Sequence, residues 1–332
     1  MTGSSQKTRR FLLFTLILGM AIVLLSVWRL QSGAMDIPWR HVMSLLNPMA
    51  DPSLFNAQEA IVVRSVRLPR LIASLGAGAA LSTSGVVLQA MLHNPLAEPY
   101  TLGIAAGAAL GAAIGIFAGG IWVPAAAFLG AIVALGLAFA LAWRSGGGSP
   151  LHMVLAGIVV SAILSAGVTL VKVLAEEKVS AIVIWLMGSF SGASMSGSLY
   201  VLAGAVAVFI PAWYWGNQLD AVSLGEGRAT YLGVDEKRIR IVMLGLASLS
   251  TALVVASFGI IGFIGLVAPH LLRLLMGPSH RPLLITSFFF GALLLAGADG
   301  LARELGEVPV GVVTSLLGGP VFCWILLRER GR

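Results

Sequence analysis

The sequence predicts an all-α protein that crosses a lipid bilayer about ten times, and three observations carry that reading. Of 332 residues, 58% are hydrophobic and 11% charged, too few charges to cover a soluble domain. The apolar residues gather into runs close to the roughly 20 residues that a helix needs to cross the hydrocarbon. Basic residues fall in every second gap between those runs, as expected when positive loops stay on the cytoplasmic side. The chain reads as one transmembrane domain, 1–332, with no room for a separate soluble unit.

The first span is expected at 11–30, after Lys7, Arg9 and Arg10. Its apolar run from Phe11 to Val27 is longer than a signal-peptide core, and no lipobox cysteine follows, so it reads as a retained helix. The second span, 67–90, is preceded by Arg64, Arg67 and Arg70. His93 to Pro99 (HNPLAEP) breaks the helix, because proline removes a backbone donor and restricts the residue before it. The third span, 99–120, carries Gly103, Gly107, Gly111, Gly115 and Gly119 at every fourth position. Such a stripe lets helix backbones approach closely where no hydrophobic effect drives them together.

The fourth span is expected at 121–143, and the turn RSGGGSP (Arg144 to Pro150) leads to the fifth, 151–174, where Gly157, Ser161 and Ser165 repeat the small-residue device. A sixth span at 196–215 is followed by a polar island, Asn217 to Arg240. The remaining spans are placed at 239–258, 262–277, 282–303 and 309–328, and ten crossings put both termini on the cytoplasmic side.

The island is the most informative stretch, because loops between spans are usually short. Ser223 and Glu226 have the spacing of a capping box, Gly233 stands where a helix would stop, and Asp235 is placed to cap the next helix. Leu224, Tyr231 and Leu232 share one face of the two- to three-turn helix this implies. Such a helix is a handle for a soluble partner.

The net charge of +7 follows the loops, so it reflects topology rather than nucleic-acid binding. Cys323 is the one cysteine, which excludes an internal disulfide and a cysteine-based metal cluster. No glycine-rich loop ends in Lys-Ser/Thr, so the chain has no phosphate loop of its own. The five histidines, His41, His93, His152, His270 and His280, show no metal-ligand spacing. Asp299 is the clear intramembrane acid and stands four residues before Arg303, where a helical ion pair is expected. Arg64, Arg67, Arg70 and Arg303 fall on the outer side, where the positive-inside rule disfavours them. They are expected to receive carboxylates of a docking protein, the alternatives being lipid snorkelling or pairing with Glu304 and Glu307.

Six motifs in order, VRLPRL (Val66 to Leu71), SGVVLQAMLHNPLAEPYTLGI (Ser84 to Ile104), SLGEGRATYLGV, GFIGLVAPHLLR (Gly262 to Arg273), ADGLAR (Ala298 to Arg303) and PVGVVTSLLGGPVFCWILL (Pro309 to Leu327), make the chain resemble the FecCD family. These are permease subunits of type II ABC importers for iron–siderophores, haem and vitamin B12. The resemblance implies a ten-helix, multi-pass inner-membrane subunit paired with a second permease copy, two ATPase subunits that carry ATP and Mg, and an outer substrate-binding protein. It implies no cofactor, catalytic residue or metal site in this chain. Leu224, Gly225, Glu226, Gly227, Arg228, Ala229, Leu232 and Gly233 match the loop that couples to the ATPase. Arg67, Arg70 and Arg303 match positions that receive glutamates of the binding protein. Ser149, Pro150 and Leu151 match the cytoplasmic gate, although Pro150 and Leu151 stand where the vitamin B12 permease has small hydroxyl residues. Iron–siderophore is the family's commonest cargo, with haem and cobalamin as alternatives. A stand-alone secondary transporter is the rival class, and the scarcity of intramembrane acids speaks against it.

Overall fold

A computed structural model describes residues 2–33, 35–47, 55–120, 122–225 and 227–329. The helices are α1 (Thr2–Gln31), α2 (Trp39–Leu46), α3 (Ala57–Ile61), α4 (Leu68–Met91), α5 (Ile104–Phe117), α6 (Val123–Gly146), α7 (Pro150–Ala175) and α8 (Val179–Leu186), followed by α9 (Met195–Tyr214), α10 (Gly216–Val222), α11 (Arg228–Tyr231), α12 (Glu236–Phe258), α13 (Ile264–Met276), α14 (His280–Glu304) and α15 (Val310–Glu329). Among the described residues, seven helical stretches are long and apolar enough to cross a membrane, and three shorter apolar helices accompany them. These ten coincide with the ten expected spans.

The central helix is α4, buried along nearly its whole length and packed against α9, α12, α13 and α14. Its small residues make this possible: a Cβ on Gly85 would stand 1.8 Å from the Gly265 carbonyl oxygen of α13. The glycine stripe of α5 works in the same way. A Cβ on Gly111 would lie 2.0 Å from the Ala126 carbonyl oxygen of α6, so the pair packs backbone to backbone. Gly119 is outside this contact, because α5 ends at Phe117 and Gly119 lies beyond it at φ +118°. Peripheral α1 packs on α14 and turns Leu16, Ile17, Met20 and Leu24 outward, the apolar face that lipid would cover.

Three local features were absent from the sequence reading. A π-helical turn, Val62–Arg67, joins α3 to α4. The short helix α8 follows α7 after the turn Glu176–Lys178. The apolar helices α5 and α13 have 14 and 13 residues, about 20 Å of rise each, less than the roughly 30 Å of a hydrocarbon core. Their non-helical lead-ins, 92–103 and 259–263, are tied together. The Tyr100 hydroxyl donates to the Ile261 carbonyl at 2.7 Å and accepts from the Ile261 N–H at 3.1 Å.

Candidate functional site

The island lies at one end of the bundle and differs from the expected single helix. Ser223 does not start a helix: its N–H still bonds to the Leu219 carbonyl at 3.0 Å, and it closes α10 in helical geometry. Glu226, the other half of the expected capping box, lies outside the described residues. Gly225 (φ +118°) and Gly227 (φ +76°) interrupt the chain, and only then does the single turn α11 form. The reason is local. Two left-handed residues, accessible to glycine without a Cβ penalty, cannot continue a right-handed helix. The downstream signals hold: Gly233 is left-handed at φ +75°, and the Asp235 side chain accepts from the Arg238 N–H at 3.1 Å.

What the island presents is apolar. Leu224, Tyr231 and Leu232 are 56%, 93% and 63% exposed, while Ala229 is buried and its carbonyl accepts from the Val234 N–H at 3.1 Å. Arg228 is exposed. A Cβ on Gly227 would meet nothing within 4 Å, so glycine is needed there for its backbone angle and not for a close contact within the chain.

Beneath this surface the Glu236 carboxylate accepts from the Gly227 N–H at 3.0 Å and pairs with Arg240, one turn further along α12. Arg240 also donates to the Gly148 carbonyl, 3.4 Å away in the turn before α7. Lys237 lies over the Trp143 ring at 5.9 Å. These residues line a cavity of 640 Å³ between the island and residues 143–148, the end of α6 and the turn after it. Ser149 is the N-cap residue of α7, with its hydroxyl 2.8 Å from His152 Nδ1. Pro150 is buried in the first turn, and Leu151 is 65% exposed. The segments expected to couple and to gate are therefore neighbours, joined through two charged side chains.

Histidines brace the same end. His93 Nε2 is 2.8 Å from the Val222 carbonyl oxygen, and His280 Nδ1 is 2.6 Å from Asp220. Burial works to raise the Asp220 carboxyl, but bonds from the His280 ring and N–H outweigh it and hold the group below its ordinary value.

The opposite end is built around Asp299. Its side chain is buried and accepts from Arg29 and, in a two-pronged contact at 3.0 Å, from Arg70. Arg70 also bonds Glu307 at 2.8 Å. Two cations and two carboxylates thus balance in a cluster that joins α1, α4, α14 and the segment before α15. The expected Asp299–Arg303 pair does not form. Asp299 faces two desolvated guanidiniums in the core, and Arg303 swings to the Ser32 carbonyl at 2.7 Å, with Glu304 at 3.8 Å. Arg67 is buried and donates to the carbonyls of Leu30 and Gln31, at 2.7 Å each, and of Met35. Arg67 and Arg70 are therefore engaged inside the chain. Arg303 reaches the surface in part, and Arg64 is exposed.

Arg29, Glu236 and Arg240 received no individual role in the sequence reading. Arg29 had a usable signal, since a charge at the end of an apolar run calls for a partner. The Glu236–Arg240 spacing of four is an ordinary helical pair, and nothing local points to Gly148.

Residues 6–328 match the FecCD transport family. The "Probable iron chelatin transport system permease protein" of Helicobacter pylori (strain ATCC 700392 / 26695) is 39% identical over 275 residues, 82% of this chain and 84% of the relative. The hemin transport system permease protein HmuU of Yersinia pestis is 35% identical over 330 residues, 95% of this chain and 96% of the relative. A solved structure described as "An inward-facing conformation of a putative metal-chelate type ABC transporter" superposes with a TM-score of 0.83 at 31% identity, covering 95% of this chain and 98% of the other. The chain belongs to the FecCD transport family and has the fold of a type II ABC importer permease.

Proposed function

We propose that this chain is the transmembrane permease subunit of an ATP-driven importer that moves an iron–siderophore chelate across the inner membrane, with both termini cytoplasmic. The observation that carries the reading is the connection between the exposed apolar surface of Leu224, Tyr231 and Leu232 and the turn before α7, through Glu236 and Arg240. An apolar patch on a polar loop is a docking surface for a protein, and its link to a second loop gives a route for motion. Two ATPase subunits, carrying ATP and Mg, would grip the island from Leu224 to Gly233. Ser149, Pro150 and Leu151 would form the inner gate beside a second permease copy. Haem and cobalamin are the second readings, since a hemin permease and a vitamin B12 permease both match along almost the whole chain.

Replacing Leu224, Tyr231 and Leu232 together with serine is expected to abolish co-purification of an ATPase subunit while the permease still elutes as a folded species. Retention of the ATPase by this variant would contradict the assignment.

A substrate-binding protein would dock at the opposite end. In this account Arg303 supplies the docking cation, and Arg67 and Arg70 hold the surface that presents it. Arg303→Glu should weaken binding-protein association by roughly tenfold, and a Glu→Arg change on the partner should restore part of it, because charge pairs couple reciprocally. Titration of the binding protein against the purified permease complex reads both numbers. An unchanged affinity would remove Arg303 from the interface.

A further inference from the structure

Midway along the bundle, the non-helical lead-ins to α5 and α13 and the start of α15 border an open cavity of 780 Å³ lined mainly by apolar side chains, among them Met187, Phe263, Leu316 and Phe322. Irregular backbone at membrane depth is tolerated where it is buried in protein or lines a water-filled cavity, and broken helices near the midplane are where transporters place their sites. The backbone here is held under strain: Phe263, the residue preceding α13, adopts φ +68°, a conformation costly for an aromatic residue. Among the described residues lining the cavity, Glu98 is the one with a charged side chain. Among the described residues, no hydrogen bond or ion pair engages its carboxylate. The nearby Tyr100 hydroxyl is occupied by Ile261. A second cavity of 460 Å³ adjoins the first, sharing Tyr100, Leu186 and Ile260, and is lined by Ser161, Ser165, Thr169 and Lys172 on α7.

By sequence spacing, Ser161 and Ser165 belong to a packing face and Glu98 to a helix break. Their placement points elsewhere. Ser161, Ser165, Thr169 and Lys172 recur on one face of an otherwise apolar helix, and that face lines an open space. An ionisable side chain at such depth, without a partner, is costly unless it has a task.

We infer that Glu98 sets the electrostatic potential of the translocation cavity, which it makes favour cationic groups and N–H or O–H donors over anionic groups. The inference rests on the importer reading for the cavity's role in translocation. The bias itself is a property of the cavity. A carboxylate surrounded by low-dielectric walls focuses its field into the space it faces, and an apolar cavity with a few polar groups orients its ligand through those groups.

The test measures the cavity's charge preference directly. Ser315, exposed and lining the same cavity, is replaced by cysteine in a Cys323→Ser background. The chain is placed in liposomes and modified with a cationic and with an anionic methanethiosulfonate reagent of similar size. With Glu98 intact, the cation-to-anion rate ratio should exceed that of a free thiol in solution by roughly fivefold, as one charge acting on two opposite reagents through water predicts. Glu98→Gln should remove the excess, and Glu98→Asp should keep it. The comparison with a free thiol needs no Glu98 variant, so it stands even if Glu98→Gln fails to fold. A ratio equal to that of the free thiol, or one unchanged by Glu98→Gln, would overturn the inference. So would failure of both reagents to react, because the cavity would then be closed to water. The measurement uses no nucleotide, ATPase or binding protein. Failure of the importer reading would appear as a missing ATPase partner with the rate ratio intact.

Discussion

Asp299→Ala is expected to cause the largest loss of stability of any single substitution considered, on the order of 3–5 kcal/mol, because it leaves two buried guanidiniums without their shared carboxylate. The side chains of Arg29, Arg70 and Asp299 are 3%, 8% and 1% exposed, so water cannot readily replace the lost partner. Glu307 still reaches Arg70, but it is half exposed. Arg29→Met should be milder, since it removes a charge and leaves Asp299 in its two-pronged contact with Arg70. Combining Arg29→Met with Asp299→Ala should cost less than the sum of the two, the signature of residues in one network. Thermal midpoints followed by size-exclusion chromatography in detergent give the ranking. A wild-type midpoint for Asp299→Ala would show that the cluster is not a structural brace.

The second large effect is on coupling. Arg240→Met keeps most of the side-chain volume but removes the donor to Gly148 and the partner of Glu236. The island should then still hold the ATPase, because Leu224, Tyr231 and Leu232 are untouched, and nucleotide hydrolysis should persist. Transport should fall roughly tenfold, the size of an ordinary 1–3 kcal/mol coupling between two sites. Glu236→Gln should have a smaller effect, since a neutral amide can still accept from the Gly227 N–H while losing the ion pair. Equal losses of hydrolysis and transport in Arg240→Met would mean that the pair only stabilises the loop.

Much of this architecture was legible in the sequence, for reasons that can be named. Apolar runs of span length appear in any composition profile, and the ten expected spans lie where ten apolar helices lie. The four-residue glycine period in α5 pointed to backbone contact, which Gly111 makes with α6. Gly233 and Asp235 were readable because helix stops and caps are local chemistry. What was not legible was long-range or too short to register. The eight residues of α8, seven of them apolar, cannot span a membrane and resemble any connector. Asp299 finds Arg70 and Arg29 at sequence separations of 229 and 270 residues, where no periodicity operates, so the local Asp299–Arg303 spacing misled. Ser223 and Glu226 have capping-box spacing, but Ser223 closes α10, and after the positive-φ glycines at 225 and 227 the next helix starts only at Arg228. Glu98 sits in a motif whose prolines dominate the local reading, and its unpartnered state emerges only once the lead-ins to α5 and α13 are brought together.

The central claim is that nucleotide-driven motion received at the island reaches the turn before α7. The most direct measurement is the rate at which a water-soluble maleimide labels Ser149→Cys, in a Cys323→Ser background, within the complete transporter and with the reagent supplied from the island side. The account predicts that trapping with ATP and vanadate changes this rate several-fold, and that Arg240→Met removes the change while ATPase subunits remain bound. It requires no assumption about whether the second permease copy is identical. Equal labelling in the resting and trapped states of the unaltered Arg240 protein would contradict the account.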